Sequence, residues 1–172
     1  QELVAGWRKE GVRPTALAFL IKASAQALRD HPLFNAWLVG ENLHILKDIN
    51  IGYAVAIPDG LLVPVVRRAD RKTLLEITHE IVDMARKARR DALTADDLEG
   101  GTFSITSLAS FDVDAFTPIL NPPQIAILGT GRIMEKPVVQ DGEIKIAPRV
   151  NLSLAVDHRA TDGAPAGRLL HS

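Results

Sequence analysis

The sequence predicts a mixed α/β domain of the two-layer α+β kind. Three observations carry this: two stretches with helical apolar spacing, several short runs rich in Val, Ile and aromatics, and a second half dominated by strand patterns. The first helix is expected over Thr15 to Arg29, where Leu17, Leu20, Ile21, Ala25 and Leu28 recur at helical spacing between Pro14 and Pro32. Trp37-Leu38-Val39, His44-Ile45-Leu46 and Tyr53-Ala54-Val55-Ala56-Ile57 then read as strands, with Gly40-Glu41-Asn42 as a turn between the first two. Pro58-Asp59-Gly60 is a sharp turn signal, and Leu61 to Val66 follows as one buried strand in which Pro64 implies a bulge or an edge.

Thr73 offers its hydroxyl as an N-cap, with Glu76 three residues on to complete a capping box. The helix that follows carries Leu74, Ile77, Ile81, Met84 and Ala88 on one face. Its late bases Arg86, Lys87, Arg89 and Arg90 complement the helix macrodipole, a reading that competes with a ligand site. A short helix, Ala95 to Leu98, is capped by Thr94 and ends at Gly100-Gly101. Beyond it Thr102 to Leu108 alternates, Gln124 to Ile133 is a long apolar run, Val138 to Ile144 crosses an Asp141-Gly142 hairpin signal, and Arg149 to Val156 forms the last strand. No internal repeat or linker interrupts the pattern.

The 172 residues carry 20 Lys plus Arg against 21 Asp plus Glu, a net charge of −1. That balance provides no cationic field for nucleic acid or an anionic membrane surface, so neither is expected as a partner. The longest apolar stretches, Ala16 to Ile21 and Leu61 to Val66, fall far short of the roughly 20 residues that span a bilayer. There is no cysteine, which excludes disulfides, thiolate metal ligands and a cysteine nucleophile. Gln1-Glu2-Leu3-Val4 has neither Met nor a basic region before an apolar one, and Leu169-Leu170-His171-Ser172 stops inside a forming helix. Residues 1–172 are therefore expected to be one domain truncated at both ends.

Of the five histidines only His158 sits in a polar constellation, Asp157-His158-Arg159-Ala160-Thr161-Asp162-Gly163, where the last strand meets a helix start. Histidine is the side chain whose ordinary pKa suits general-base work near neutrality. The competing reading is a capped helix start, with Asp162 or Thr161 as N-cap, Arg159 paired to an acid and His158 a bystander. No second histidine stands at metal-ligand spacing from His158, so no metal is expected. In the hydroxyl-rich run Gly100 to Leu108, strand alternation puts Ser104 and Thr106 on one face and Ser107 on the other; the competing reading is an ordinary sheet edge. No Gly-x-Ser-x-Gly elbow occurs, and Gly129-Thr130-Gly131 lacks the rest of a dinucleotide fingerprint.

The tail from Asp157 to Gly163 resembles the D-H-R-x-x-D-G signature of the catalytic domain of dihydrolipoamide acyltransferases, the core components of 2-oxo acid dehydrogenase complexes. Three further segments match collinearly: Asn50-Ile51-Gly52-Tyr53 through Pro64 to Ala69-Asp70-Arg71-Lys72, Gly100 to Leu108, and Asn121-Pro122-Pro123-Gln124 with Ala126-Ile127-Leu128-Gly129. The resemblance implies a chloramphenicol acetyltransferase-like mixed sheet with helices packed on it. It implies acyl transfer between the dihydrolipoyl thiol and coenzyme A as co-substrate, the lipoyl group being supplied by a separate domain. His158 would be the general base, Asp162 would hold the loop and the histidine, and Thr106, aligned on Ile105 and Leu108, would be the oxyanion donor in place of the family's serine.

The resemblance further implies a homotrimer assembling into a larger core, with the site between subunits. Partner 2-oxo acid decarboxylase and dihydrolipoamide dehydrogenase components would follow, in the cytoplasm if the source is bacterial or archaeal and in the mitochondrial matrix if eukaryotic. Two other readings stay open on the residues: a non-catalytic core or binding subunit of such a complex, and an acetyltransferase acting on a free small molecule.

Overall fold

The structure is a computed structural model and describes residues 14–58 and 60–172; Gln1 to Val4, and Asp59 of the expected turn, lie outside the described residues. Helix α1 (Ala16–Asp30) begins at Thr15, whose hydroxyl accepts from the Ala18 amide at 3.2 Å. It buries Ala18, Ile21, Ala25 and Leu28, a spacing of three and four that makes one continuous stripe. Helix α2 (Leu74–Ala88) has the expected capping box: Thr73 Oγ1 accepts from the Glu76 amide and Glu76 Oε2 accepts from the Thr73 amide at 2.7 Å. The Thr73 amide, and after it the Thr73 hydroxyl, both donating to Glu76 Oε2, hold the Glu76 carboxyl below its ordinary range.

Strands β1 (Ala36–Val39) and β2 (Asn42–Ile45) form a hairpin about Gly40, whose φ of 61° requires the left-handed region. The main sheet then collects β3 (Ile51–Tyr53), β6 (Val65–Val66), β7 (Phe103–Ser107), β8 (Ala126–Thr130) and β11 (Leu152–Val156) in the order β11-β8-β7-β3-β6. Its centre, β3-β7-β8, is parallel and both flanks are antiparallel, so the sheet is mixed as expected. Residues Ile51, Tyr53, Phe103, Ile105, Ala126 and Leu128 join Ile21, Leu28, Ile77 and Ile81 of the helices in one core. Each fully buried Ile or Phe contributes about 1.5–3 kcal/mol of transfer free energy. Tyr53 carries its hydroxyl into this core, donating to the Ile81 carbonyl at 2.9 Å, and burial pushes its pKa up.

Helix α3 (Ala95–Leu98) has the expected short span, and α4 (Gly163–His171) packs Ala166 and Leu169 beside β11. Several expected strands are divided. Tyr53–Ile57 breaks at Ala54, whose amide donates to the Ile105 carbonyl, and β4 (Val55–Ile57) pairs instead with β5 (Gly60–Leu62) in a hairpin of its own. The run Leu61 to Val66 is therefore two strands, parted at Val63-Pro64. Val63 Cγ1 sits 2.9 Å from where a Cβ on Gly52 would stand, so the step from hairpin to sheet depends on that glycine.

The Asp141-Gly142 turn, with φ of 56° and 78°, joins longer arms than expected, β9 (Met134–Gln140) and β10 (Glu143–Arg149). Arg149 thus belongs to β10 rather than to the last strand, and within the expected span Arg149–Val156 the residues Leu154 and Val156 pack on the core while Val150 and Leu152 stay exposed.

The parallel strands are far apart in sequence and are tied by buried side-chain bonds. Asn35, 2% exposed, donates to the carbonyls of Leu46 (2.8 Å) and Asp48 (3.1 Å) and accepts from the Thr102 hydroxyl at 2.5 Å. Asn50 receives the Arg68 amide on Oδ1, donates from Nδ2 to the Gly100 carbonyl, and gives its own amide to Thr102 Oγ1. Removing one member leaves desolvated carbonyls without a donor, so Asn35→Leu is expected to cost about 2–4 kcal/mol, read as a drop in urea midpoint at unchanged slope. A midpoint within experimental error of the parent would contradict this role.

Candidate active site

Strand alternation turns Phe103 and Ile105 toward the helices and Ser104 and Thr106 to the opposite face. That second face is roofed by the β4–β5 hairpin and by the segment 113–121, leaving a cavity of about 380 Å³ lined by Thr106 together with Ala54, Leu61, Val63, Phe116 and Ile119, among others. The roof comes down closely because β8 has glycines where it passes. A Cβ on Gly129 would meet Phe116 and Pro118 at 3.1 Å, and one on Gly131 would stand 1.9 Å from the Asp114 carbonyl oxygen. Arg132 pins the near end of this segment, bonding to the carboxylates of Asp112 and Asp114, while Asn151 donates to the Asp114 carbonyl at 3.0 Å. These two bonds, Asp114 first, raise the Arg132 pKa. The Gly129-Thr130-Gly131 run is thus explained by packing.

Four hydroxyls of this stretch are distinguished by their partners. Thr102 bonds within the Asn35–Asn50 web, Ser104 donates to Gln124 Oε1 at 2.7 Å, and Ser107 meets Thr130 and the Ala109 amide. The half-buried Thr106 hydroxyl bonds to no other group among the described residues and faces the cavity.

His158 leaves the sheet just beyond β11. The chain turns there through bonds from the Ala160 and Thr161 amides to the Asp157 carbonyl. Arg159 clamps Asp157 with its amide (3.0 Å), Nε (3.0 Å) and Nη2 (2.6 Å). The Arg159 side-chain bonds hold the Asp157 carboxyl below its ordinary range and raise the Arg159 pKa. Asp162 is the N-cap of α4, but its side chain makes no capping bond; Asp162 Oδ1 lies 3.4 Å from His158 Nδ1 instead. Position and contact thus combine the two competing readings of the sequence: a helix start with Arg159 paired, and a carboxylate facing the histidine.

The structure brings His158 and Asp162 together but not His158 and Thr106. Thr106 pairs with Gly129 and Gly129 with Ser153, so Ser153 is two strands, roughly 10 Å, from Thr106. Val156 is a further three residues, about 10 Å, along β11, and His158 lies beyond it, outside the lining of the Thr106 cavity. Both His158 and Asp162 are nearly four-fifths exposed in the single chain, at 79% and 78%. Among the described residues no group of three or more His, Asp or Glu could hold a metal ion, and no helix is long and apolar enough to cross a membrane.

The family described as 2-oxoacid dehydrogenases acyltransferase (catalytic domain) matches residues 2–172. The chain belongs to it. It is 48% identical over 162 residues to the dihydrolipoyllysine-residue acetyltransferase component of the pyruvate dehydrogenase complex of Cupriavidus necator, and 44% identical over 164 residues to the lipoamide acyltransferase component of the branched-chain alpha-keto acid dehydrogenase complex of Bacillus subtilis. These matches cover 93% and 95% of this chain but only 29% and 39% of those proteins.

Among solved structures, a dihydrolipoamide acetyltransferase of Azotobacter vinelandii superposes with a TM-score of 0.91 at 44% identity, covering 97% of this chain and 70% of that one. That work concerned the role of a serine, a histidine and an asparagine in its catalytic mechanism. Their intervals along that chain equal those from Thr106 to His158 and from His158 to Asp162 here. The cubic core of a pyruvate dehydrogenase multienzyme complex superposes at 0.89 with 44% identity, covering 97% and 70%. Chloramphenicol acetyltransferase does so at 0.57 with 12% identity, covering 97% and 78%, which establishes the expected fold.

Sequence reasoning offered Arg159 as paired to an acid but did not name Asp157, two residues before it, as that acid and as the clamp of the histidine turn. Because Asp157 titrates lower when folded than the ordinary value near 3.9, the clamp's stabilisation is fully present above that value and is lost as pH falls through the lowered one. The destabilisation of Asp157→Ala, measured from urea midpoints, is expected to be constant from about pH 5 to pH 8 and to shrink progressively as the pH is lowered past about 4. A difference that grows on acidification contradicts the clamp.

Proposed function

We propose that this chain is the transferase core of a dihydrolipoamide acyltransferase, moving an acyl group between a dihydrolipoyl thiol and coenzyme A, with His158 as general base, Asp162 as its positioning carboxylate and Thr106 as oxyanion donor. The observation that carries the reading is the Thr106 hydroxyl, without a partner among the described residues and set at the same interval before His158 as the serine studied in the Azotobacter enzyme. With Nδ1 directed at Asp162, the His158 Nε2 lone pair points outward and takes the proton of the incoming thiol. The thiolate sulfur attacks the thioester carbonyl carbon, and the Thr106 hydroxyl donates to the oxygen as negative charge develops there. When the old carbon–sulfur bond breaks, protonated His158 returns the proton to the departing sulfur. No acyl-enzyme is required, in keeping with a chain that has no cysteine.

The separation of His158 from Thr106 supports a site assembled between copies, His158 of one facing Thr106 of the next, in a homotrimer that builds a larger core. The β9–β10 hairpin supports association too. It pairs with no other strand among the described residues, and its face formed by Val139, Ile144 and Ile146 is 75–80% exposed. A lone two-stranded hairpin is marginal in water, and such a stripe gains stability when a second copy covers it. The complexes named for the relatives support the partners that the resemblance implies, 2-oxo acid decarboxylase and dihydrolipoamide dehydrogenase components, and the bacterial sources of those relatives support a cytoplasmic setting.

The assay uses the full-length, assembled protein with acyl-CoA donors and dihydrolipoamide. His158→Ala is expected to lower kcat by about a thousandfold and Thr106→Val by about a hundredfold or more, whereas Thr106→Ser stays within about tenfold of the parent. Full activity in His158→Ala would sink the mechanism. For the assembly, the double variant Ile144→Asp with Ile146→Asp is expected to sediment as smaller species while keeping its circular dichroism; an unchanged sedimentation profile would count against the hairpin contact.

A further inference from the structure

The roof over Thr106 is continuous in sequence with the strand that carries it. Beyond Ser107 the chain makes a short turn, Ala109–Phe111, reverses at Asp112 and returns over the second face of the sheet as the segment 113–121. The reversal takes Asp112 into the left-handed region, with φ of 62°, where a residue with a Cβ is strained and the surrounding structure has to hold it. Arg132 does so. Its Nη1 bonds to Asp112 Oδ1, its Nε to Asp114 Oδ1 at 2.5 Å, and its amide donates to the Val113 carbonyl at 2.8 Å. Past Asp114 the roof has no such anchor until the Asn121 carbonyl, which accepts from the Gln124 amide at 3.1 Å. Among the described residues, 115–120 make no hydrogen bond, and the segment rests there on Phe116 and Pro118 against Gly129. Gly129 is the ladder partner of Thr106, so the roof comes down one strand spacing, about 5 Å, from the Thr106 backbone.

We propose that Arg132 is a positioning residue for the acyl transfer: by holding Asp112 and Asp114 it sets how closely the roof lies over Thr106, and so the room in which the reacting carbonyl meets the Thr106 hydroxyl. This inference rests on the transferase reading and adds to it a residue that touches no reacting group. The whole clamp lies within one copy, so it acts in the same way whichever copy supplies the histidine. The Asp112 and Asp114 side chains are 81% and 48% exposed, and ion pairs so open to water add little to folding stability. What one guanidinium on two carboxylates fixes is geometry, because its donors are rigid and diverge at set angles. With the clamp released, the near end of the roof is left to packing alone, and water reaches the Thr106 hydroxyl in place of the carbonyl oxygen. A displacement of about 1 Å from a change remote from the chemistry is enough to cost about a hundredfold in rate.

The test is a double-mutant cycle on kcat, measured in the full-length assembled protein with acyl-CoA and dihydrolipoamide. Arg132→Gln is expected to lower kcat by about tenfold or more while the protein keeps its sedimentation and circular dichroism. In Thr106→Val, where the oxyanion donor is already gone, the same substitution is expected to lower kcat by no more than about twofold. A role confined to the fold would give the same factor in both backgrounds. Should Arg132→Gln sediment as smaller species, Asp114→Asn, which removes one charge and keeps the shape, takes its place under the same two criteria.

A kcat that stays within about twofold of the parent overturns the proposal, and so does an equal loss in the two backgrounds. No turnover by the parent, or a Thr106→Val protein as active as the parent, would instead fail the transferase reading, and with it this inference.

Discussion

The structure depends on the buried web of Asn35, Asn50 and Thr102. The central strands β3, β7 and β8 are parallel, so no tight turn can join them and their alignment has to be secured across long stretches of chain. Between β3 and β7 the web does this with side-chain amides and a hydroxyl that satisfy one another in largely buried ground, where a missing partner would cost more than the bond returns. Thr102 opens β7, so its anchoring sets which way Phe103 and every later residue of the strand points. Alternation then places Ile105 in the core and the Thr106 hydroxyl in the cavity.

A second constraint governs the histidine. His158 stands on an exposed turn, so its orientation relies on polar contacts: the Asp157–Arg159 ion pair on one side and the Asp162 carboxylate facing Nδ1 on the other. The two halves of the proposed machinery are thus built by different means. Thr106 is positioned by a sheet locked from within, and His158 by a polar loop that projects from the chain. Under the proposed function, their separation in one copy, with the exposed apolar face of the β9–β10 hairpin, would give association a catalytic consequence in addition to a stabilising one.

Much of this was legible in the sequence. The capping box at Thr73 and Glu76, the Asp141-Gly142 turn and the shared face of Ser104 and Thr106 follow from local rules of hydrogen bonding and chain geometry, and the structure has all three. The four-residue step from His158 to Asp162 was visible as well. What local rules could not show is what depends on remote neighbours. The division of Leu61–Val66 arises because Val63 presses on Gly52, and Gly129 and Gly131 are small because the roof segment lies against them. Hydropathy alone marks those glycines as ambiguous. That Thr106, among four neighbouring hydroxyls, has no partner among the described residues required the whole hydrogen-bond pattern.

The central claim is that one site takes His158 from one copy and Thr106 from another. It is tested most directly by complementation between two full-length inactive chains, His158→Ala and Thr106→Val, co-expressed at equal amounts so that mixed assemblies form. In a cyclic assembly about a quarter of the interfaces then pair an intact His158 with an intact Thr106, and the account predicts about a quarter of the parental activity. Mixed assemblies no more active than either variant alone would contradict it, because sites built within single chains cannot rescue one another.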